Sequence, residues 1–187
     1  MFCLKNENIV VREFRKDDIE NKVKWINDKR NNKYLHYDIP LCEEKTLEWY
    51  KNKEKNRFDC VIEYQDVPIG LIGLIGIDDI NQKAEFYITI GNDEFKRRGI
   101  ATRATKLILE YAFKELNLNK VYLNVDEENE AACKLYEKIG FNKEGRFVQD
   151  MLFRGVLINR LRYAIFKIDL YEGIANEYIN FKCRNEE

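Results

Sequence analysis

The chain has 187 residues, 45% of them hydrophobic and 13% aromatic, which suits one domain with a packed core and excludes a disordered segment. Its 32 basic and 33 acidic side chains leave a formal charge of −1. That balance lacks the basic excess a nucleic-acid-binding surface requires.

Two prolines and nine glycines punctuate the sequence, and no repeat or linker divides it, so residues 1–187 read as a single domain. Ile9 to Phe14 reads as a first strand, followed by Arg15-Lys16-Asp17-Asp18, where an aspartate can cap a helix running through Val23 and Ile26. Asn31 to Cys42, rich in Asn, Tyr and Pro, reads as a loop, and Glu43 to Lys55 as a second helix. Phe58 to Tyr64 and Ile69 to Ile77 form a hairpin across Gln65-Asp66-Val67-Pro68; the second strand is apolar on both faces, which places it centrally in a sheet. Ala84 to Gly91 is a further strand. Arg98 through Leu116 has the clearest helical period, with Ala104, Leu107, Ile108, Tyr111 and Ala112 on one stripe. Val121 to Val125 reads as a strand, Asn129 to Ile139 as a helix ended by Gly140, and Phe141 onward and Leu157 to Ile168 as the last strands. The tail, 169–187, is polar and peripheral. Strands first, then strand–helix–strand–helix–strand, give an α/β fold with a mixed sheet.

Five scattered cysteines (Cys3, Cys42, Cys60, Cys133, Cys183) show no CxxC pair, and His36 is the one histidine, so reduced thiols and no metal site are expected. Met1 to Val11 lacks the apolar run and cleavage site of a secretory signal, and nothing approaches the roughly 20 apolar residues of a membrane span. The expectation is a cytoplasmic protein without nucleic-acid or membrane partners.

Glu94-Phe-Lys-Arg-Arg-Gly-Ile-Ala-Thr102 lies between a strand and the long helix. Free backbone N–H groups and the positive dipole end converge at such a helix start and favour an anion. Gly99 permits close approach, Ala101 is small, Lys96, Arg97 and Arg98 add positive charge, and Thr102 adds a hydroxyl donor. Neither GxxxxGK[ST] nor GxGxxG is present, which disfavours a P-loop ATPase and a dinucleotide dehydrogenase.

Thirty residues on stands Asn129-Glu-Ala-Ala-Cys-Lys-Leu-Tyr136-Glu-Lys-Ile-Gly140-Phe141. Together the two segments resemble the GCN5-related N-acetyltransferase (GNAT) family, whose loop reads (Arg/Gln)xxGx(Gly/Ala); Lys96 departs at its first position. Within that family, Arg57 to Leu170 is similar to the bacterial spermidine (diamine) N-acetyltransferases, through Ala84-Glu-Phe, Gly99-Ile-Ala-Thr-Arg-Ala-Thr-Lys-Leu107, Asn124-Val-Asp-Glu-Glu-Asn129, Leu135-Tyr-Glu-Lys-Ile-Gly-Phe141, Asn159 and Arg162. Those enzymes carry acidic residues in the third strand where this chain has Gly73 and Gly76.

The resemblance implies a mixed, largely antiparallel twisted sheet of about seven strands flanked by helices, and acetyl-coenzyme A (acetyl-CoA) as co-substrate. It implies coenzyme binding by Ile88, Thr89 and Ile90 through their backbone, by Lys96, Arg97, Arg98, Gly99, Ile100, Ala101 and Thr102 at the pyrophosphate, and by Asn129 at the pantetheine arm. Tyr136 is expected to protonate the departing sulfur and Glu85 to accept the amine's proton. Strand alternation sets Glu85, Tyr87 and Thr89 opposite the apolar Phe86, Ile88 and Ile90. Tyr34, His36, Tyr37 and Asp38 form an aromatic and acidic cluster suited to a cationic acceptor, with Glu85 beside it and Arg146, Phe153 and Asn159 on the far wall. Glu43 and Glu44 suit the dipole at a helix start.

The expected activity is direct acetyl transfer to a primary amine of a small molecule, polyamines first. The alternatives are an amino-sugar nucleotide, the N-terminus of a ribosomal protein, or a non-catalytic acyl-CoA-sensing module. Homo-oligomerisation through a sheet edge is also open.

Overall fold

In the computed structural model, which describes residues 2–169, the alternating segments assemble into an eight-stranded sheet. The strands are β1 (Cys3–Asn6), β2 (Ile9–Glu13), β3 (Phe58–Tyr64), β4 (Val67–Asp78), β5 (Lys83–Ile90), β6 (Lys120–Asp126), β7 (Asn142–Phe153) and β8 (Val156–Phe166). Helices α1 (Ile19–Asn27) and α2 (Glu43–Asn52) lie between β2 and β3, α3 (Ile100–Lys114) between β5 and β6, and α4 (Glu130–Ile139) between β6 and β7. The spatial order is β1-β2-β3-β4-β5-β6-β8-β7. Every neighbouring pair is antiparallel except β5 and β6, the pair that α3 connects. A parallel pair needs such a crossover.

The two sheet faces are buried separately, giving three layers. Under α3 and α4 lie Ile62, Ile72, Leu74, Phe86, Ile108, Phe113, Leu123 and Tyr136. Under α1 and α2 lie Phe14, Ile19, Trp25, Val61 and Leu71. Strand β4 is buried on both faces, which its unbroken apolar run requires.

Several boundaries differ from the sequence reading. Strand β1 was not expected, because Lys5-Asn6-Glu7-Asn8 carries no apolar alternation; it is an edge strand, mostly exposed. The β3–β4 turn is only two residues, Gln65 and Asp66, both left-handed (φ 51° and 64°) as a twist-compatible hairpin turn demands, so Val67 and Pro68 already belong to the strand. Asp18 stands at the start of α1 without capping it by its side chain. Its carboxylate instead takes both arms of Arg12, at 2.7 and 2.8 Å, and the Arg15 backbone N–H. The tail expected at 169–187 lies, beyond Asp169, outside the described residues, as does Cys183; the other four cysteines are free thiols.

The layer beneath α1 and α2 also holds a cation. Lys22 is 7% exposed, with Nζ 3.2 Å from the centre of the Trp49 ring and 5.9 Å from that of Tyr37. Burial pushes its pKa down to about 8 from an ordinary 10.5. Between those values the unfolded chain keeps a proton that the native protein has released, so stability rises with pH there, by on the order of 3 kcal/mol across the window. Urea unfolding at about pH 7.5 and about pH 9.5 should show that rise, and Lys22→Met should flatten it. An equal slope in the variant would assign the rise to other groups.

Candidate active site

Strands β5 and β6 are joined only over Lys83–Glu85 and Lys120–Tyr122, and beyond that they part. Which backbone groups face the opening follows from two bonds. Gly91 N–H donates to Ile69 C=O at 2.8 Å on the β4 side, and Lys120 N–H donates to Gln82 C=O at 3.0 Å on the β6 side. Alternation then turns Glu85, Tyr87 and Thr89 backbone groups toward β4, and those of Ile88 and Ile90 into the wedge. The structure therefore brings Ile88 and Ile90 to the opening as donors, while the Thr89 N–H belongs to the β4 ladder. A group entering the wedge would meet fixed amides rather than a closed sheet.

At the open end of the wedge the chain turns into α3. Asn92 Oδ1 accepts from the Glu94 N–H at 3.1 Å, and Arg97 and Gly99 are both left-handed (φ 62° and 71°). This curls the backbone into a concave run of amides ahead of the helix start. Gly99 suits that conformation, and a Cβ there would meet nothing within 4 Å. The basic side chains divide their work. Lys96 is held by Asn31 (2.7 Å) and Asp93, Arg98 lies over the Phe95 ring at 5.3 Å, and Arg97 is exposed. Ile100 is buried in the core, so its contribution to an anion is its backbone, whereas Ala101 and Thr102 are half-buried on the first turn. The loop's charge, amides and wedge together fit a pyrophosphate with a thin arm running on between the strands.

Helix α4 packs beside α3 on the same face of the sheet. Asn129 caps it, its Oδ1 accepting from the Ala132 N–H at 3.3 Å, which leaves the amide NH2 as the group able to reach a ligand. Two turns on, Tyr136 is 8% exposed and packs against Phe86, Phe141 and Tyr163. Its hydroxyl makes no hydrogen bond among the described residues, and burial holds its pKa above the ordinary phenol range. It is thus a protonated donor at neutral pH, set beside the strand where the wedge begins.

Glu85 lies half-buried on the opposite face. Its Oε1 accepts from Asn124 Nδ2 at 3.0 Å, and Asn124 Oδ1 accepts from Arg162 Nε at 3.2 Å. Arg162 in turn stacks over Tyr122 and Phe147, at 4.5 and 5.3 Å. The amide keeps the guanidinium and the carboxylate from pairing directly while orienting both. Next to Glu85 on this face, the Tyr87 hydroxyl donates to Asp59 (2.7 Å), which also takes both arms of Arg57. Desolvation would push Asp59 up, but those hydrogen bonds hold it below the usual carboxylate range. Gly73 is explained here. A Cβ would lie 2.2 Å from the Phe58 carbonyl and 2.9 Å from the Tyr87 ring, so Tyr87 takes the space an acidic side chain would need.

On the acceptor side, two of the four cluster residues from the α1–α2 loop reach the end of β6, whereas Tyr37 lies near Lys22 in the layer beneath α1 and α2. The Tyr34 hydroxyl donates to the Glu128 carbonyl (3.1 Å), and His36 Nε2 meets Asp126 Oδ2 (3.0 Å) with its ring against Phe153 (4.9 Å). Asp38 is exposed and makes no hydrogen bond among the described residues. Arg146 and Asn159 both bind Glu127, so the far wall is tied together through that carboxylate. The sequence reading missed Asn124, Asp126, Glu127 and Arg162 as site residues. For Asn124 and Asp126 the signal was the alternation of β6, which sets Tyr122, Asn124 and Asp126 on the face opposite Leu123 and Val125; Glu127 and Arg162, on neighbouring elements, had no such signal.

Comparison with known proteins agrees with this architecture. The acetyltransferase (GNAT) domain profile matches residues 8–142. The chain is 40% identical over 116 residues to the spermidine N(1)-acetyltransferase of Escherichia coli K12, a match spanning 62% of this chain and 61% of that protein. It is 34% identical over 155 residues to the Vibrio cholerae spermidine N(1)-acetyltransferase, covering 80% and 88%. A crystal structure of the V. cholerae enzyme in complex with CoA and spermine superposes with a TM-score of 0.82 at 28% identity, over 89% of this chain and 99% of that one. The profile match over most of the chain, on a sheet that opens between β5 and β6, places the protein in the GNAT acetyltransferase family.

Proposed function

We propose that the protein is an acetyl-CoA-dependent N-acetyltransferase whose acceptor is a primary amine of a polyamine of the spermidine type. The observation that carries the reading is the wedge, with unpaired Ile88 and Ile90 amides leading to the start of α3. The acceptor class is supported by the names of the relatives and by the carboxylates of Glu85 and Asp126 on one side of the opening. An amino-sugar nucleotide is less well served, because Arg146 and Arg160 are already paired with Glu127 and Asp150.

The chemistry follows from the geometry. An alkylamine with a pKa near 10.4 is mostly protonated at neutral pH, so Glu85 accepts its proton, directly or through water. The free nitrogen attacks the thioester carbonyl and the C–N bond forms. Ile88 and Ile90 N–H groups stabilise the oxyanion, Tyr136 gives its hydroxyl proton to the sulfur as the C–S bond breaks, and the nitrogen's remaining extra proton passes to solvent, which also reprotonates the tyrosinate. Arg97 and the amides around Gly99 hold the pyrophosphate, and Asn129 the pantetheine arm.

A thiol-release assay with acetyl-CoA and a panel of spermidine, putrescine, an amino-sugar nucleotide and a ribosomal N-terminal peptide tests the acceptor. Spermidine should have the highest kcat/KM, by about tenfold or more over the nucleotide and the peptide. A preference for peptide would replace the polyamine reading.

A further inference from the structure

The end of β6 carries a carboxylate with half of its hydrogen-bonding capacity unmet. Asp126 is 5% exposed; its Oδ2 faces His36, and its Oδ1 is buried with no partner among the described residues. A buried carboxylate oxygen without a donor is among the least favourable arrangements a fold can hold.

The surrounding donors are all committed elsewhere. Arg160 lies directly across the β6–β8 pair from Asp126, where a cation would ordinarily neutralise it. Its guanidinium instead pairs with Asp150, Nε to Oδ2 at 2.5 Å. Arg146 and Asn159 are taken by Glu127, and the Tyr34 hydroxyl by the Glu128 carbonyl.

Asp126 also stands in the right place. It shares a β6 face with Asn124, which touches Glu85, and lies two residues further along, about 6.6 Å at strand rise. Glu85, tied to β6 through Asn124, and a second, underused carboxylate further along the same strand thus line one side of the cleft. Over the second converge the α1–α2 loop, through His36, and the β7–β8 hairpin, through Phe153.

We propose that Asp126 selects a polycationic acceptor: its Oδ1 receives a distal ammonium while the reacting amine lies at Glu85. His36 Nε2–H holds the other oxygen in the free protein. Because Oδ1 is buried, the loop carrying His36 yields as the ammonium enters. The inference rests on the polyamine reading above and adds the residue that would read the second charge.

Calorimetric titration of the full chain with spermidine, in the presence of CoA, tests it. Asp126→Asn keeps the shape and an acceptor for His36 but removes the charge, and should raise the Kd for spermidine about tenfold or more. His36→Ala leaves both oxygens bare in the free protein, so spermidine has more to gain and should bind more tightly than to the parent. Opposite signs for the two variants are the signature. Parent-like binding by Asp126→Asn, or weakening in His36→Ala, would overturn the proposal and leave His36–Asp126 as a loop fastening only. Should Asp126→Asn fail to fold, the sign of the His36→Ala change decides. A parent that acetylates another amine but does not bind spermidine removes the polyamine reading itself, whereas a parent that binds spermidine regardless of Asp126 removes only this residue's part.

Discussion

Replacing Tyr136 by Phe is expected to lower kcat by about a hundredfold or more while leaving the KM for acetyl-CoA nearly unchanged. In the proposed mechanism the hydroxyl delivers a proton as the thiolate departs, whereas the ring makes the contacts with Phe86, Phe141 and Tyr163 that hold α4 on the sheet. Phenylalanine keeps the ring. The hydroxyl it removes makes no hydrogen bond among the described residues, so the melting temperature should change little. Steady-state kinetics with a thermal melt reads both effects. Loss of stability together with activity would mean that the hydroxyl is structural, and full activity would require another acid.

Glu85→Gln should be the second large effect, and it should depend on pH. At neutral pH the amine must be deprotonated by the enzyme, and kcat/KM should fall about a hundredfold. Toward pH 10, near the pKa of about 10.4 for a free alkylamine, solvent does the same work and the variant should approach the parent. The glutamine still accepts from Asn124, so the Asn124–Arg162 arrangement survives and the change reports on the carboxylate. A loss of the same size at every pH would take Glu85 out of the proton path.

How much of this could be read in the sequence depended on distance along the chain. The wedge's neighbours were legible because each is continuous: the loop before α3 and the Asn129–Tyr136 spacing on α4 lie within one element apiece. Strands β2 to β8 were legible from apolar pattern, alternating or, in β4, unbroken, whereas β1 has neither to show. An aspartate of Asp17-Asp18 was expected to cap α1, since no local signal reveals that Arg12 would claim the Asp18 carboxylate. The acceptor side was mostly hidden for the same reason. Glu85 and Asn124 are 39 residues apart, and His36 and Asp126 are 90 apart. Their meeting is fixed by strand register and by the path of the α1–α2 loop, neither of which leaves a mark in local sequence. Gly73 could be seen as a departure from the spermidine enzymes, but its cause, the Tyr87 ring lying against it, needs the β4–β5 register.

The most direct test is a calorimetric titration of the purified protein with CoA alone. Amides waiting in an open wedge and at the start of α3 should give one site per chain with a Kd below about 1 mM, weakened in a Gly99→Val variant, whose backbone resists the left-handed turn. A parent protein that takes up no CoA would contradict the wedge as a coenzyme site and every role assigned around it.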